Sequence, residues 1–480
     1  MLLDKQSDGE NYKGGLDSLR NSDKKVYELI AKTHEGLCGC QIYHEGALAK
    51  LKEQDSQVYE LIEKEYERLT NSIQLIAAEN QCSRAVLAAL GSVVQNKTTE
   101  GFPGERFHGG CEVVDSLERL AVSRAKEAFG ARYANVQPHS GTQANQIVIT
   151  ALLEKNDRVL SLAMDQGGHC SHGAKISFSG RFFDIENYYV DERTFLLDYD
   201  AIRDKAVRLK PKLIICGATA YVREIDFKKF REIADEVGAY LLADISHISG
   251  LVIAGAHQSP VNYAHFTTTS TYKPGGPRGG LILMGSGCEE PIEVAGRKRP
   301  LWEHIQKTTF PGVQGTPYLN HIAAKAVFFK ETLTEEYKAR QFKIIENARR
   351  LAKNLVALGY DVLTGGTDNH MVLVNVANFR EGMTGVISQK CLEDCGIVIN
   401  MNKLPYDKRS ASVTSGMRLG TPIVTKSGMG DEEMDAVSLL INEVLKAVKI
   451  TGDKEFKISE LFRNETKEKV KELCLKFPIC

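Results

Sequence analysis

Short apolar runs alternate with amphipathic segments from about residue 80 onward. Six runs predict strands: YANVQP (133–138), RVLSLAM (158–164), KLIICGA (212–218), AYLLADIS (239–246), HFTTTSTYK (265–273) and GGLILMG (279–285). Between two of them, DFKKFREIADEVG (226–238) repeats apolar side chains at helical spacing, which predicts an amphipathic helix. Strands that alternate with helices predict a mostly parallel sheet that is covered on both faces.

The pattern changes after Pro317. A long helical stretch (320–359) is followed by three apolar runs that predict strands, YDVLTGG (360–366), HMVLVNV (370–376) and GIVINMN (396–402), and then by a helical segment (431–449). These elements predict a second, smaller α/β domain that packs on the first. We therefore expect an N-terminal helical arm or extension (1–78), a large domain (79–317) and a C-terminal small domain (318–480).

The N-terminal part of the chain is polar and has a helical pattern. KVYELIAK (25–32) is echoed by QVYELIEK (57–64), and a single echo predicts two short helices with similar faces rather than a repeat architecture. Between them lie His34, Cys38, Cys40 and His44, which are open to two interpretations, a zinc site or an ordinary helix connection. Structural zinc sites usually place roughly two to four residues between paired cysteines, so the single residue between Cys38 and Cys40 favours the connection.

Composition argues against several classes of partner. The 61 lysines and arginines balance 62 aspartates and glutamates, and no basic run stands out, so neither nucleic acid nor a membrane surface is an expected partner. No apolar run reaches the length of a membrane-spanning helix, and the first fifteen residues are too polar for a secretory signal. Eleven scattered cysteines favour reduced thiols and a cytoplasmic location.

Candidate chemistry lies where the predicted strands of the large domain end. Ligands of open α/β sheets bind at the carboxyl ends of the strands. Ser140, Gly141 and Thr142 stand where one strand turns into a helix, and their backbone N–H groups, hydroxyls and helix dipole could bind a phosphate. The same residues could simply cap the helix, because small polar residues are common at helix starts.

Two further residues end neighbouring apolar runs. Asp244 could cap the next helix, or it could form an ion pair with a protonated pyridine nitrogen and so make the ring an electron sink. Lys273 comes 29 residues later, before the glycine-rich loop PGGPRGG, and a half-buried lysine of this kind can bond covalently to an aldehyde. A phosphate cradle, an aspartate and a lysine in this order fit pyridoxal 5′-phosphate (PLP).

Many long segments also carry a resemblance to a known family. They are LIAAENQCSRAVLAALGS, EGFPGERFHGGCEVVD, YANVQPHSGTQAN, GGHCSHG, KLIICGATAY, REIADEVGAYLLADISHISGL, GPRGGLIL, FPGVQGTP, GGTDNHMVLV and VTSGMRLGTP. With these motifs the chain resembles the serine hydroxymethyltransferases from about Val58 to about Lys449. The resemblance implies the α/β fold type I of PLP enzymes, with a large mostly parallel-sheet domain, a smaller C-terminal α/β domain and an N-terminal helical arm.

The resemblance assigns roles around the cofactor ring. The lysine that matches Lys273 holds PLP covalently, and the aspartate that matches Asp244 pairs with the pyridine nitrogen. The match of His169 stacks on the ring, while His247 and Thr219 match residues beside the phenolic oxygen. No metal is implied at this site.

The resemblance also assigns the phosphate, the substrate and the subunit contacts. Residues 140–142 match phosphate ligands, and Gly315 matches a phosphate contact from the partner subunit. Arg418 matches the arginine that binds the carboxylate of the amino-acid substrate, a bidentate contact that suits a guanidinium. Glu100 matches an acid–base carboxylate supplied across the dimer interface. An obligate homodimer, or a dimer of dimers, is therefore expected.

The chain departs from the family pattern close to the site. Thr98 replaces a tyrosine that reaches the phosphate, and His108 replaces a tyrosine near the substrate. Ala78 stands in place of a serine near the substrate, and Tyr272 replaces the histidine before the lysine. An imidazole at position 108 can still donate a hydrogen bond, as the phenol does. The candidate catalytic residues are Lys273, Glu100, His108 and His247.

Tetrahydrofolate is a doubtful second ligand on this sequence. Ala411 and Ser412 stand where the family has proline and phenylalanine near the folate site, which predicts weak folate binding. Three interpretations stay open. The chain could be a hydroxymethyltransferase in one-carbon and amino-acid metabolism, which transfers the one-carbon unit of serine or cleaves β-hydroxy amino acids. It could instead be a folate-independent paralogue with another substrate or acceptor, or a poorly active PLP-binding partner protein.

Overall fold

A twisted seven-stranded sheet organises the larger part of the molecule. The computed structural model describes residues 19–28, 47–294 and 296–479. The strands are β1 (Tyr133–Asn135), β2 (Arg158–Leu162), β3 (Asp184–Tyr188), β4 (Leu213–Cys216), β5 (Tyr240–Asp244), β6 (Phe266–Ser270) and β7 (Gly280–Met284). Their order across the sheet is β1-β7-β6-β5-β4-β2-β3, and only β7 runs antiparallel to its neighbours. The predicted mostly parallel sheet is confirmed.

The sequence pattern missed one strand of this sheet. β3 lies at the sheet edge and carries Asp184 and Glu186, so it lacks the apolar run that marks the central strands. Central strands are buried on both faces: in β4, Leu213 and Ile215 pack into one core, and Ile214 and Cys216 into the other. This arrangement follows from the two-residue period of a strand.

Helices cover both faces of the large sheet. They are Arg84–Leu90, Glu112–Phe129, Gly141–Leu152, Phe178–Phe182, Tyr199–Leu209, Phe227–Val237, Ser249–Ile253 and Leu301–Lys307. The predicted helix at 226–238 is confirmed as Phe227–Val237, with Asp226 as its N-cap and Gly238 in the left-handed region after its end. Phe230 on its inner face is fully buried, so replacement by alanine would cost about 3–5 kcal/mol.

The smaller domain contains a four-stranded antiparallel sheet. Its strands are β8 (Asp361–Val362), β9 (Met371–Asn375), β10 (Asn400–Asn402) and β11 (Gly416–Gly420), in the order β8-β9-β11-β10. Its helices are Glu335–Ala357, Gly385–Asp394, Pro422–Lys426, Asp431–Ala447 and Glu460–Lys476. Short strand segments elsewhere are Ile73–Gln74, Gly101–Phe102, Glu105–Arg106, Pro291–Val294, Arg297–Pro300, Ile397–Val398, Lys449–Ile450 and Phe456–Lys457.

Two predictions in this half of the chain are wrong in detail. The stretch 320–359 is two helices, because Thr334 caps the second with its hydroxyl, which accepts a hydrogen bond from the N–H of Tyr337 at 3.2 Å. The run GIVINMN is two strands in different sheets. Its first part pairs in parallel with Ile73–Gln74, and its second part becomes β10 beside β11.

The hydrophobic cores of the two domains show which segments fold together. The helix Leu319–Thr332 packs into the core of the large sheet, whereas Ile73 and Leu75 belong to the core of the smaller domain. The proposed domain limits at residues 78 and 317 stay predictions, and these contacts show that chain segments near both limits cross between the domains. Within the described residues, no helix combines the length and the apolar content needed to cross a bilayer.

The N-terminal residues fall into a docked part and an exposed part. In residues 19–28, Leu19, Asp23 and Val26 are fully buried against the large domain. The helix Ser56–Thr70 buries none of its residues, and it follows a short helix, Ala47–Gln54. The candidate cluster at residues 34–44 lies outside the described residues.

Candidate active site

A cavity of about 200 Å³ opens at the carboxyl ends of the strands of the large sheet. Nine of the residues singled out in the sequence line it: Ser140, Gly141, Thr142, His169, Thr219, Asp244, His247, Tyr272 and Lys273. They come from the ends of five strands, β1, β2, β4, β5 and β6, or from the loops that follow these strands. Because parallel strands end at one edge, side chains distant in sequence meet here.

Asp244 lies at the end of β5 and is almost fully buried. Its Oδ2 accepts hydrogen bonds from Asn145 (2.7 Å) and His172 (2.9 Å), and its Oδ1 accepts two from the hydroxyl and N–H of Ser246 (2.6 and 3.0 Å). Burial alone would raise the pKa of this carboxyl, but the hydrogen bond and charge of His172 outweigh it and hold the pKa well below its usual range. A permanently charged carboxylate therefore faces the cavity.

Lys273 is half-buried just beyond β6. Its Nζ donates to the hydroxyl of Ser270 at 3.0 Å and lies 4.8 Å from the ring centre of Tyr272. The backbone is held in place as well, since Asn80 donates to the carbonyl of Lys273 at 3.0 Å. The amine is thus aimed into the cavity by contacts at both ends of the residue.

The helix Gly141–Leu152 begins at the cavity. Ser140 caps it by accepting a hydrogen bond from the N–H of Gln143 at 3.1 Å. A Cβ at Gly141 would lie 3.2 Å from the Cβ of Ser270, so glycine keeps this end open. Free N–H groups and hydroxyls at a helix start suit a phosphate.

Two orphaned polar atoms mark the opposite side of the cavity. Among the described residues, Thr219 Oγ1 and His247 Nδ1 are buried side-chain atoms without a hydrogen-bond partner. Burial, together with the nearby charges of Lys273 and Arg418, holds the pKa of His247 well below its usual value, so the ring is neutral. Buried polar atoms normally have partners, so these two fit a polar ligand such as the oxygen of a PLP ring.

His169 lies on the cavity wall with its Nδ1 2.8 Å from the hydroxyl of Ser171. Burial lowers its pKa to about 4, so the imidazole is neutral at physiological pH. A neutral aromatic ring can pack against another ring without carrying a charge into the cavity. Taken with the phosphate-binding helix end, the charged Asp244 and the amine of Lys273, the residues present fit PLP.

Arg418, on β11, connects the smaller domain to the cavity. Its Nη1 donates to the carbonyl of Thr219 at 2.7 Å, and its Nε donates to Asn400 Oδ1 at 3.1 Å. Burial lowers its pKa to about 10, which leaves the guanidinium charged at neutral pH. The geometry places a buried cation beside the cavity wall.

Other residues predicted from the sequence do not line this cavity. Glu100 and Gly315 lie close to each other, since a Cβ at Gly315 would be 3.5 Å from Glu100 Oε1, but neither lines the cavity. Thr98 and His108 are exposed, and Ala78 is half-buried outside the lining. One chain therefore brings together the cofactor-side residues and leaves the loop that carries Glu100 apart from them.

The structure also assigns positions to residues that sequence reasoning missed. Asn145 and His172 bond to Asp244, and Ser246 and Ser270 bond to Asp244 and Lys273. Asn145 comes four residues after Gly141, on the same face of one helix, which is a signal that was available. His172 shares the segment GGHCSHG with His169, but nothing local shows which histidine reaches Asp244.

One group of three potential metal ligands occurs in the part of the chain that the structure describes. His169, His172 and Asp244 place ligand atoms within 4.8 Å of one another. The hydrogen bond from His172 to Asp244 accounts for their proximity, and all three belong to the cavity described above.

Comparison with known proteins agrees with this geometry. The family model for serine hydroxymethyltransferase matches residues 51–441, a range that contains every cavity residue and Arg418. A curated serine hydroxymethyltransferase of Methanosarcina barkeri (strain Fusaro / DSM 804) is 47% identical over 408 residues, which cover 85% of this chain and 93% of that relative. The chain therefore belongs to the serine hydroxymethyltransferase family, transferases of PLP fold type I that use PLP bound to a lysine.

Proposed function

We propose that this protein transfers the hydroxymethyl group of serine, acting at the α-carbon of serine and glycine with PLP held by Lys273. The observation that carries the proposal is the cavity in which Ser140, Asp244 and Lys273 converge, with Arg418 bonded to its wall. The paralogue and inactive-partner alternatives have no observation in their favour, and the family match supports the transferase.

Three cavity residues would have defined tasks. When bound, PLP supplies an electron-withdrawing ring that stabilises negative charge at the α-carbon of an attached amino acid. Asp244 keeps a proton on the ring nitrogen, because its carboxylate stays ionised and is held in place by four hydrogen bonds. The helix end at Ser140 would hold the phosphate, and Lys273 Nζ would provide the amine that bonds to the aldehyde.

Arg418 would hold the substrate carboxylate. Its Nε and Nη1 bonds fix the plane of the guanidinium, and within the described residues its Nη2 has no hydrogen-bond partner. A fixed, charged fork binds a carboxylate in one orientation. The α-carbon of the amino acid is then held at a set position relative to Lys273.

A homodimer, or a dimer of dimers, would complete the site. Glu100 and His108 lie on a loop away from the cavity of their own chain, and Phe107 on that loop is 76% exposed. The helix Ser56–Thr70 also exposes a row of apolar side chains, Val58, Leu61, Ile62 and Tyr66. Exposed apolar patches of this kind mark protein interfaces, and family members are typically oligomeric. In such a dimer Glu100 would exchange protons with substrate bound to the partner chain.

A cytoplasmic location goes with this assignment. Eight free cysteines and no disulfide occur among the described residues, and most of these thiols are buried. Reduced thiols in a large chain are typical of a reducing compartment.

A spectroscopic screen tests the function. Purified protein is loaded with PLP, and the visible spectrum is recorded with serine, glycine and other β-hydroxy amino acids, with and without tetrahydrofolate. We expect a cofactor band that changes with serine and glycine, together with transfer of the one-carbon unit from serine to tetrahydrofolate. A stable cofactor band that no amino acid alters would instead show a PLP-binding protein without this activity.

A further inference from the structure

A buried lysine lies directly behind the cofactor cavity. Lys325, on the helix Leu319–Thr332, is only 2% exposed. Its Nζ donates hydrogen bonds to three main-chain carbonyl oxygens, those of Val136 (2.6 Å), Gly280 (2.8 Å) and Pro138 (3.3 Å). An ammonium group has three N–H donors, so these acceptors use all of them. A neutral amine would leave one carbonyl facing a lone pair.

The three carbonyls belong to the two chain segments that form the phosphate-binding end. Val136 and Pro138 follow β1 and lead into Ser140, while Gly280 begins β7. The segments also bond to each other, since Gly280 N donates to Pro138 O at 2.8 Å. Gly279, which lines the cavity, leaves room for the lysine, because a Cβ there would lie 2.4 Å from Lys325 Cε.

The burial of the positive charge of Lys325 costs free energy that some stabilising role must offset. Among the described residues no carboxylate lies within ion-pair distance of Lys325, and only the more distant charge of Glu118 favours its protonated form. Burial lowers the pKa of Lys325 to about 7. A buried cation is costly unless its hydrogen bonds are satisfied, and an apolar side chain would fill the same space at lower cost.

We propose that Lys325 is a positioning residue for the phosphate of PLP: its ammonium group clamps the end of β1 to the start of β7 and so fixes the helix end at Ser140. The inference rests on the proposed function, because it takes the helix end at Ser140 as the phosphate site. Lys325 acts through the backbone and does not itself contact the cofactor.

The test compares cofactors with and without the phosphate. Lys325→Met replaces the aliphatic part of the side chain with an unbranched chain of similar length and removes the ammonium group with all three donors. We expect its affinity for PLP, measured by visible absorbance after dialysis and reloading, to fall by about 10- to 100-fold. Its affinity for pyridoxal, which lacks the phosphate, stays within about twofold of wild type. Lys330→Met is the matched control, since it removes a partly exposed lysine from the same helix and leaves both affinities unchanged.

If Lys325→Met folds poorly, the wild-type protein still tests the proposal, because the protonation of Lys325 changes with pH. The ratio of PLP to pyridoxal affinity is expected to fall as the pH rises from about 7, where about half of the Lys325 side chains are protonated, to about 9, where nearly all are neutral. The other titratable groups that face it are Glu118, His139 and His321, and burial holds both histidines neutral over this range. The bond of Lys273 to the aldehyde affects both ligands and cancels in the ratio.

Two results would overturn the inference. One is a folded Lys325→Met protein that binds PLP as wild type does. The other is an equal loss of PLP and pyridoxal, which indicates general damage to the fold. Wild-type protein that binds no PLP at all would instead contradict the proposed function.

Discussion

The cofactor cavity and the loop 98–108 differ in how their functional side chains are held. Around the cavity, Asp244 accepts hydrogen bonds from Asn145 and His172, and Lys273 donates one to Ser270 at the end of β6. On the loop, Thr98, Phe107 and His108 are exposed, although the family pattern relates this segment to the same chemistry. One chain therefore builds the cofactor side of the site and leaves the side chains of this loop exposed, as the proposed dimer requires.

The loop is nevertheless rigid at its base. Arg106 is buried and bonds to Asp115, Glu118 and the carbonyl of Gly101, and Asp115 also accepts a hydrogen bond from Gly104 N at 2.8 Å. Exposed side chains on a fixed backbone are ready for an interface without a large ordering cost. In the proposed dimer this loop would therefore meet its partner with its backbone already in place.

The largest effect is expected in the cavity. Lys273→Ala removes the amine that holds the cofactor, so the visible absorbance of lysine-bound PLP disappears and kcat falls by about a thousandfold or more. Absorbance spectra and steady-state assays measure both. Lys155→Ala, in an exposed loop, is the control and keeps both. A Lys273→Ala protein with an unchanged spectrum would mean that another lysine holds the cofactor.

Arg418→Lys tests whether the guanidinium beside the cavity wall binds the substrate carboxylate. A lysine keeps the charge but loses the planar fork fixed by Asn400 and Thr219. We expect KM for serine to rise by about 10- to 100-fold while the visible band of bound PLP is retained. Parallel serine kinetics and PLP titration separate these effects. A loss of PLP binding with normal KM would place Arg418 on the cofactor instead.

Mixed dimers test whether the loop serves the other chain. Chains with Lys273→Ala are combined with chains that carry Glu100→Gln, after partial unfolding and refolding together. If Glu100 acts across the interface, each mixed dimer has one complete site, and about a quarter of wild-type activity returns when the chains exchange at random. Two Glu100→Gln chains together provide the control. If activity does not return although mixed dimers form, the sites are self-contained.

The last prediction concerns folate. Ala411 and Ser412 are exposed and offer no aromatic wall where the family pattern has phenylalanine. The loss of such a contact costs about 1–3 kcal/mol, so tetrahydrofolate is expected to bind roughly ten- to a hundredfold more weakly than to relatives with the aromatic residue. Titration of folate into the glycine complex measures this, with Ser412→Phe as the matched gain-of-contact variant. Tight saturation at micromolar folate would show that the prediction is wrong.

The sequence predicted the site best where a functional residue lies at the end of a predicted strand. Ser140, Asp244 and Lys273 each follow an apolar run, so the parallel sheet predicts that they meet. It was silent on contacts between distant segments, such as His172 to Asp244, which are 72 residues apart, or Arg418 to Thr219, which are 199 apart. The sequence also did not predict that GIVINMN divides between two sheets, because an apolar run does not show which strand it pairs with.

The docked N-terminal residues have a consequence for any shortened form of the protein. Asp23 is shared by Arg124 and Lys330, and Leu19 and Val26 fill apolar space beside it, although all three N-terminal residues precede the family match at residue 51. Removal of this segment would leave two cations facing each other beside a bare apolar groove, an arrangement that favours aggregation. A version that begins at residue 51 would therefore lose solubility before it lost its active site.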